Sequence, residues 1–434
     1  MSTESPLPGY RETRLIDPFE VFIGPIFESG AKGERRFALR IDERHVNRRG
    51  SLHGGMLMTF ADATLGAAAA DLADGGVAVT LNMQSHFLAG PDLTGFPGAV
   101  TPNLPYAASL PASQWGIVPM RGQRPAELVL GSVQLGLAYG AANRTGKPSH
   151  DAAMALVRRA VDAGITTIDT ARAYGDSEQR LGAALSAADR TRIVTKLSPL
   201  SELDETASSA TVERAVDASI EASLAALRRT HLDGLLLHRA RHLTGWNGAV
   251  WKRLREWQAR GVITALGASI QTPAELHTAL GFSGVVHVQL PFNLLDWRWR
   301  EAGAIAALEG RGDVTVHVRS VFLQGLLAAN DPQIWPAIPG LDPHRLTATL
   351  RDGVASLGRE SCADLCLAYV RGQPWVDGVV IGMETVRQLE TNLRLCACAP
   401  LTAVECARIE AMIPRVREML LNPALWPARL EAAQ

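Results

Sequence analysis

The chain has 434 residues, more than one ordinary domain holds, so two or three are expected. An apolar fraction of 47% is ample for cores, and 43 basic against 44 acidic residues leave a formal net charge of −1. That balance gives no electrostatic case for nucleic acid or an anionic membrane surface. No apolar run reaches transmembrane length, and the polar start Met1-Ser-Thr-Glu-Ser-Pro6 lacks the apolar region of a signal peptide, so the expected compartment is the cytoplasm.

Phe19–Ile26 and Arg36–Ile41 read as strands. The run from Asn47 through His53-Gly54-Gly55 leads into Met56–Leu72, which is Ala-rich and apolar on nearly all sides, as a buried helix is. Val77–Leu88 alternates like a further strand. This pattern resembles the hotdog-fold thioesterases of the phenylacetic-acid-pathway type, whose signature falls on Asn47, His53, Gly55 and Asp62. The resemblance implies that free N–H groups at the helix start, around Gly54 and Gly55, would polarise a thioester carbonyl, and that Asp62 would hold or activate the attacking water. The resemblance stops near Gly95, although such a sheet should continue, so residues 1–95 are read as a partial α+β hotdog domain. Its helix would keep uncovered apolar surface, which favours association, and a homodimer through this segment is expected. Prolines at 91, 97, 102, 105, 111, 119 and 125 exclude central strands, and residues 96–127 are read as a linker.

From residue 128 to 434 apolar strands alternate with helices. The strands are Leu128–Gly131, the run ending at Asp169, Arg192–Lys196, the run ending at His238, Ala265–Ser269, Val285–Gln289, Val314–Arg319 and Gly378–Gly382. Helices are expected over Asp151–Ala163 (Ser149 as N-cap, Gly164 past its end), Glu178–Leu185, Thr211–Arg229 and Val250–Arg260, and from Pro273. Eight strands, each followed by a helix, predict an α/β fold of the (β/α)8 TIM-barrel type. Asp169, Tyr174, Lys196 and His238 are polar residues at the ends of three successive apolar strands, where barrels of this kind carry their chemistry. No Gly-x-Gly-x-x-Gly follows a strand, which argues against a Rossmann cofactor domain. The five cysteines lie after residue 361, with no second ligand pair at zinc spacing. Cys362 and Cys366 fit one helix face, and reduced thiols without metal are expected.

Asp169, Tyr174, Lys196 and His238 resemble, in order, the catalytic tetrad of the aldo-keto reductases, and the resemblance covers roughly residues 128–425. It implies NAD(P)H-dependent reduction of an aldehyde or ketone, with NADP or NAD as cofactor. Tyr174 would be the general acid, Lys196 the ammonium beside the phenol, Asp169 its anchor, and His238 the group that orients the carbonyl. The family's cofactor positions fall on Ser269 and Gln289 for the carboxamide, and on Arg319 where a stacking Tyr is common. They continue with Ser320 and Gly325 in the pyrophosphate loop, and Gly382, Gln388 and Asn392 in the adenosine-phosphate loop and helix. Arg319 is a departure, though a guanidinium plane also stacks. Ile270 stands where an Asn is usual. Met383 and Glu384 speak against a 2′-phosphate and Arg387 for it, so weak discrimination is expected. The segments around Gln289 and Arg319 are similar to a branch associated with polysaccharide and flagellar glycan biosynthesis, which hints at sugar-like carbonyls. Two other functions stay open: an acyl-CoA thioesterase in the N-terminal segment, and a non-catalytic cofactor sensor on the reductase fold.

Overall fold

The computed structural model describes residues 125–186 and 189–427, and before them residues 11–12, 26–29, 36–39, 45, 56, 59, 60 and 64. The chain divides into two compact units, Met1–Val118 and Pro119–Gln434.

In the first unit β1 (Arg11–Glu12), β2 (Ile26–Ser29) and β3 (Arg36–Leu39) form an antiparallel sheet, with Arg11 opposite Glu28 and Ile26 opposite Leu39. The Arg11 guanidinium donates to Glu28 at 2.9 and 3.1 Å. Met56, Thr59, Phe60 and Thr64 are helical, as the Ala-rich run predicts, and Phe60 packs with Ile26, Phe37 and Met56. Of the strand expected at Phe19–Ile26, only Ile26 is among the described residues, where β2 begins, and residues 19–25 lie outside them; β1 had no sequence signal. Asn47, His53, Gly55, Asp62, the Val77–Leu88 strand and the stretch 96–124 lie outside the described residues.

The second unit is a closed parallel barrel. Its strands are β4 (Glu127–Gly131), β5 (Thr167–Asp169), β6 (Arg192–Lys196), β7 (Leu232–Leu237), β8 (Ile263–Ser269), β9 (His287–Pro291), β10 (Thr315–Arg319) and β11 (Gly378–Gly382). They pair in chain order, and β11 returns to β4. Helices cover the outside of the barrel, so its strands are buried on both faces. That explains why they read as continuous apolar runs rather than alternating ones.

The helices start and stop where the sequence places caps. The Ser149 hydroxyl accepts from the Ala152 amide at 3.2 Å ahead of helix His150–Asp162, and Gly164 follows its end at φ 86°. That helix turns Ala153, Leu156, Val157 and Ala160 to the core. Thr272–Glu275, Thr385–Gln388 and Thr402–Glu405 form reciprocal capping boxes. Strand β9 begins two residues later than expected, because the Val285 amide closes a turn on Phe282. Short helix Val133–Gly136 and the long Pro343–Ser356 were not foreseen. Cys362 and Cys366 do share a helix, Cys362–Arg371, and all five thiols are free. Among the described residues no group of His, Cys, Asp and Glu is arranged to hold a metal, and no helix is long and apolar enough to cross a membrane.

Candidate active site

The four tetrad residues meet at the C-terminal rim of the barrel. Asp169 ends β5 and Lys196 ends β6, both almost fully buried. The ammonium donates to both carboxylate oxygens, at 2.8 and 2.6 Å, and to the Thr170 carbonyl at 3.0 Å. Burial acts to lower the Lys196 pKa, but the charge and hydrogen bond of Asp169, reinforced by Tyr174, outweigh it, and the net shift is upward. Lys196 therefore stays an ammonium throughout the neutral range.

Tyr174 reaches this pair by a tight turn built on two glycines. A Cβ on Gly136 would overlap the Tyr174 carbonyl oxygen, and one on Gly175, at φ 56°, would overlap the Gly136 carbonyl. Only glycines allow the loop after β4 and the loop after β5 to touch here. Ser177 fastens the turn from below: its hydroxyl lies 2.9 Å from the Ser132 carbonyl, to which it donates, and 2.7 Å from the Ser132 hydroxyl. The Lys196 ammonium sits 5.0 Å from the centre of the half-buried phenol ring.

His238, just past β7, meets the Tyr174 ring edge-on at 5.9 Å. Its pKa falls to about 3, first through burial and then through Lys196, Arg319, Arg239 and His242. Near neutral pH it is an uncharged imidazole. Its Nδ1 is buried without a hydrogen-bond partner among the described residues.

The positions assigned to a cofactor line the same rim. Ser269 ends β8 and is buried. Gln289 donates from its amide to Asp169 Oδ2 at 2.7 Å, which leaves its Oε1 buried and unpaired among the described residues. Arg319 ends β10, where its guanidinium donates to the Ile270 carbonyl at 3.2 Å and to Gln271 Oε1 at 3.0 Å. Beyond it Ser320, Leu323, Gln324 and Gly325 all have positive φ. This left-handed run is held by Asn293, which donates to the Ser320 carbonyl at 3.2 Å, and by the Ala142 amide on the Gln324 carbonyl at 3.1 Å. A Cβ on Gly325 would come within 2.6 Å of the Ala142 Cβ. Gly382 likewise has no room for one, because the Gln134 amide occupies that place. Gln388 uses its carbonyl to cap its own helix, accepting from the Glu384 amide at 2.7 Å, and Asn392 follows one turn later, buried.

Three residues of the site were not singled out in the sequence. Tyr139 stands near Tyr174, Arg319 and Gln324. The residue is 40% exposed, yet desolvation by the surrounding protein raises its pKa, Arg319 opposes that, and Tyr174 adds to it. An aromatic set between Gly136 and Gly140, directly after a strand, was the available signal. Glu178 is buried, pairs with Arg172 and accepts from Thr195 at 2.6 Å, which braces the residue beside Lys196. Gln134 keeps a buried Oε1 with no partner among the described residues. Unpaired acceptors at Gln289 and Gln134 suit a ligand with amide donors.

Comparison with known proteins separates the two units. A model described as the aldo/keto reductase family matches residues 127–414, and one described as the thioesterase superfamily matches residues 49–93. A Pseudomonas aeruginosa protein described as “Putative esterase PA0474” is 44% identical over 64 residues, 14% of this chain and 45% of that protein. The chain thus spans under half the length of that relative. Among solved structures, the holo form of aldo-keto reductase AKR11C1 from Bacillus halodurans is similar in fold with a TM-score of 0.55. It is 22% identical, covering 70% of this chain and 98% of that one. The apo form gives 0.50 and 21%, covering 66% and 94%.

Proposed function

We propose that this chain, which belongs to the aldo/keto reductase family, is an oxidoreductase that reduces an aldehyde or ketone with NAD(P)H, using Tyr174 as its proton donor. The observation that carries the reading is the buried ammonium of Lys196, locked on Asp169 and set 5.0 Å from the Tyr174 ring. Three proton-bearing groups surround the place where a carbonyl would sit. Lys196 is committed to Asp169, and its raised pKa makes it a poor acid. His238, with a pKa of about 3, holds no extra proton near neutral pH and can only orient the substrate by hydrogen bonding. The phenol is left to protonate the developing alkoxide, and the ammonium beside it stabilises the tyrosinate that results.

A nicotinamide dinucleotide supplies the hydride when bound. Gln289 Oε1 and Ser269 are suited to its carboxamide, and Arg319, Ser320 and Gly325 to the pyrophosphate side. Gly382, Asn392 and the NH2 of Gln388 are suited to the adenosine end. Met383 is fully buried, Glu384 is half-buried and Arg387 exposed, which supports use of both NADPH and NADH. A sugar-like carbonyl is the proposed substrate class.

For the first unit we propose no thioester hydrolysis. The match to the esterase-like relative covers 45% of that protein, so the rest of its length has no matched counterpart here. One experiment decides among the readings: purified full-length protein with NADPH or NADH and a panel of aldehydes and sugar-like carbonyls, followed at the nicotinamide absorbance beside an acyl-CoA release assay. Carbonyl-dependent oxidation without thioester cleavage is expected. Thioester cleavage that is lost in Asp62→Ala, with no carbonyl reduction, would reverse the assignment.

A further inference from the structure

At the opposite end of the barrel from Tyr174, the first residues of the strands enclose a cavity of about 280 Å³. Thr167, Arg192, Asp233, Thr315, His287 and His317 are among its lining residues. The two imidazoles are almost fully buried and meet edge to face at 4.3 Å. His287 Nε2 and His317 Nδ1 have no hydrogen-bond partner among the described residues.

The polar chain continues upward from there. His317 on β10 lies opposite Gln289 on β9. Gln289 holds a third unpaired buried atom, Oε1, while its amide donates to Asp169, the anchor of Lys196. Barrels of this kind normally fill this axis with branched aliphatic side chains. Here unpaired polar atoms run from the cavity to the reaction pair. Buried polar groups are rarely left unpaired, and water satisfies them where the site is polar and roomy. The cavity around His287 and His317 meets both conditions.

Every reduction takes a proton from Tyr174: its O–H bond breaks as the alcohol O–H forms, and the tyrosinate must regain a proton before the next turnover. We propose that water fills the barrel axis from the cavity to the Asp169–Lys196 pair, and that protons reach Tyr174 along it from the N-terminal face. Each proton taken up at one nitrogen of His287 or His317 releases another from its partner nitrogen, and water beside the Asp169–Lys196 pair passes it to the tyrosinate while Lys196 keeps its own protons. The charged groups facing the two imidazoles are Lys196 above and Arg192 below, and both oppose charge on the rings. Asp233 and Asp313 line the cavity beneath. The rings therefore rest neutral and carry the excess proton only in transit. This route rests on the reading of Tyr174 as the acid.

Two measurements on the full-length protein test it. A crystal structure should place ordered water within hydrogen-bond distance of His287 Nε2 and His317 Nδ1. In His317→Phe, a single turnover with bound NADPH should proceed at the wild-type rate. Repeated turnover near pH 9, where protons are scarce, should fall at least ~10-fold, with a larger solvent isotope effect and recovery on adding free imidazole. His317→Gln, which keeps a polar side chain, should fall less and serves where the Phe variant folds poorly. A dry axis, or unchanged repeated turnover in both variants, overturns the route while leaving the reductase assignment standing. A wild-type protein that reduces no carbonyl overturns both.

Discussion

Lys196→Met separates what holds the site together from what makes it react. The ammonium gives three hydrogen bonds, two to Asp169 and one to the Thr170 carbonyl, and is 1% exposed. Removing it leaves the Asp169 carboxylate buried with the Gln289 amide as its remaining side-chain partner among the described residues. Breaking one half of a buried ion pair costs about 3–5 kcal/mol, because the surviving charge stays desolvated. A second change, Asp169→Asn, removes that charge, so Lys196→Met with Asp169→Asn should recover most of the loss. Neither form should reduce carbonyls at more than a small fraction of the wild-type rate. Urea unfolding followed by tryptophan fluorescence is the assay, since every tryptophan except Trp115 lies after residue 128 and reports on the barrel. A single variant that loses less than ~1 kcal/mol, or a double variant no more stable than the single one, would refute the account of this pair.

Other perturbations address other parts of the site. Gly136→Ala drives a methyl group into the Tyr174 carbonyl, so it should both destabilise the barrel and lower kcat by ~10-fold or more through a displaced phenol; unchanged kinetics would show that the glycine contact does not position Tyr174. NADPH should be favoured over NADH by less than ~10³-fold, about 4 kcal/mol, in paired kcat/KM measurements; a larger preference would contradict the reading of Met383, Glu384 and Arg387. His287, held neutral with a pKa of about 3 against the ordinary 6.5, predicts acid lability. The unfolded chain binds a proton below about 6.5 and the native one does not, so stability is fully present above that pH. It declines as pH falls toward 3, by up to ~1.4 kcal/mol per unit for this residue. His287→Gln should flatten that slope in acid unfolding curves, and an unaltered slope would place the titration elsewhere.

The candidate constellation was legible because Asp169 and Lys196 end apolar strands and His238 directly follows one, a local signal, while Tyr174 stands in the loop after Asp169. Lys196 at the close of Arg-Ile-Val-Thr-Lys needs no knowledge of its partner to be noticed. The partnership of Gln289 with Asp169 was not legible, since 120 residues separate them and only barrel closure brings β5 and β9 to a common axis. The Gly136–Gly175 contact is hidden in the same way: each glycine alone reads as an ordinary loop residue. The late start of β9 reflects a run, Val285–Leu290, in which apolar residues continue on both sides of the boundary and periodicity gives no phase. His287 and His317 sat in plain view within strand runs. Their significance lies in facing one another across adjacent strands, which composition does not record.

The central claim is that Tyr174 is the proton donor, and Tyr174→Phe tests it most directly. The change removes one hydroxyl and keeps the ring that meets His238 edge-on and lies 5.0 Å from the Lys196 ammonium. Cofactor affinity, measured by fluorescence titration, should stay near wild type, while kcat for a reducible aldehyde falls by at least ~10²-fold, the scale of general acid catalysis. A variant that binds the cofactor and turns over at close to the wild-type rate would contradict the mechanism.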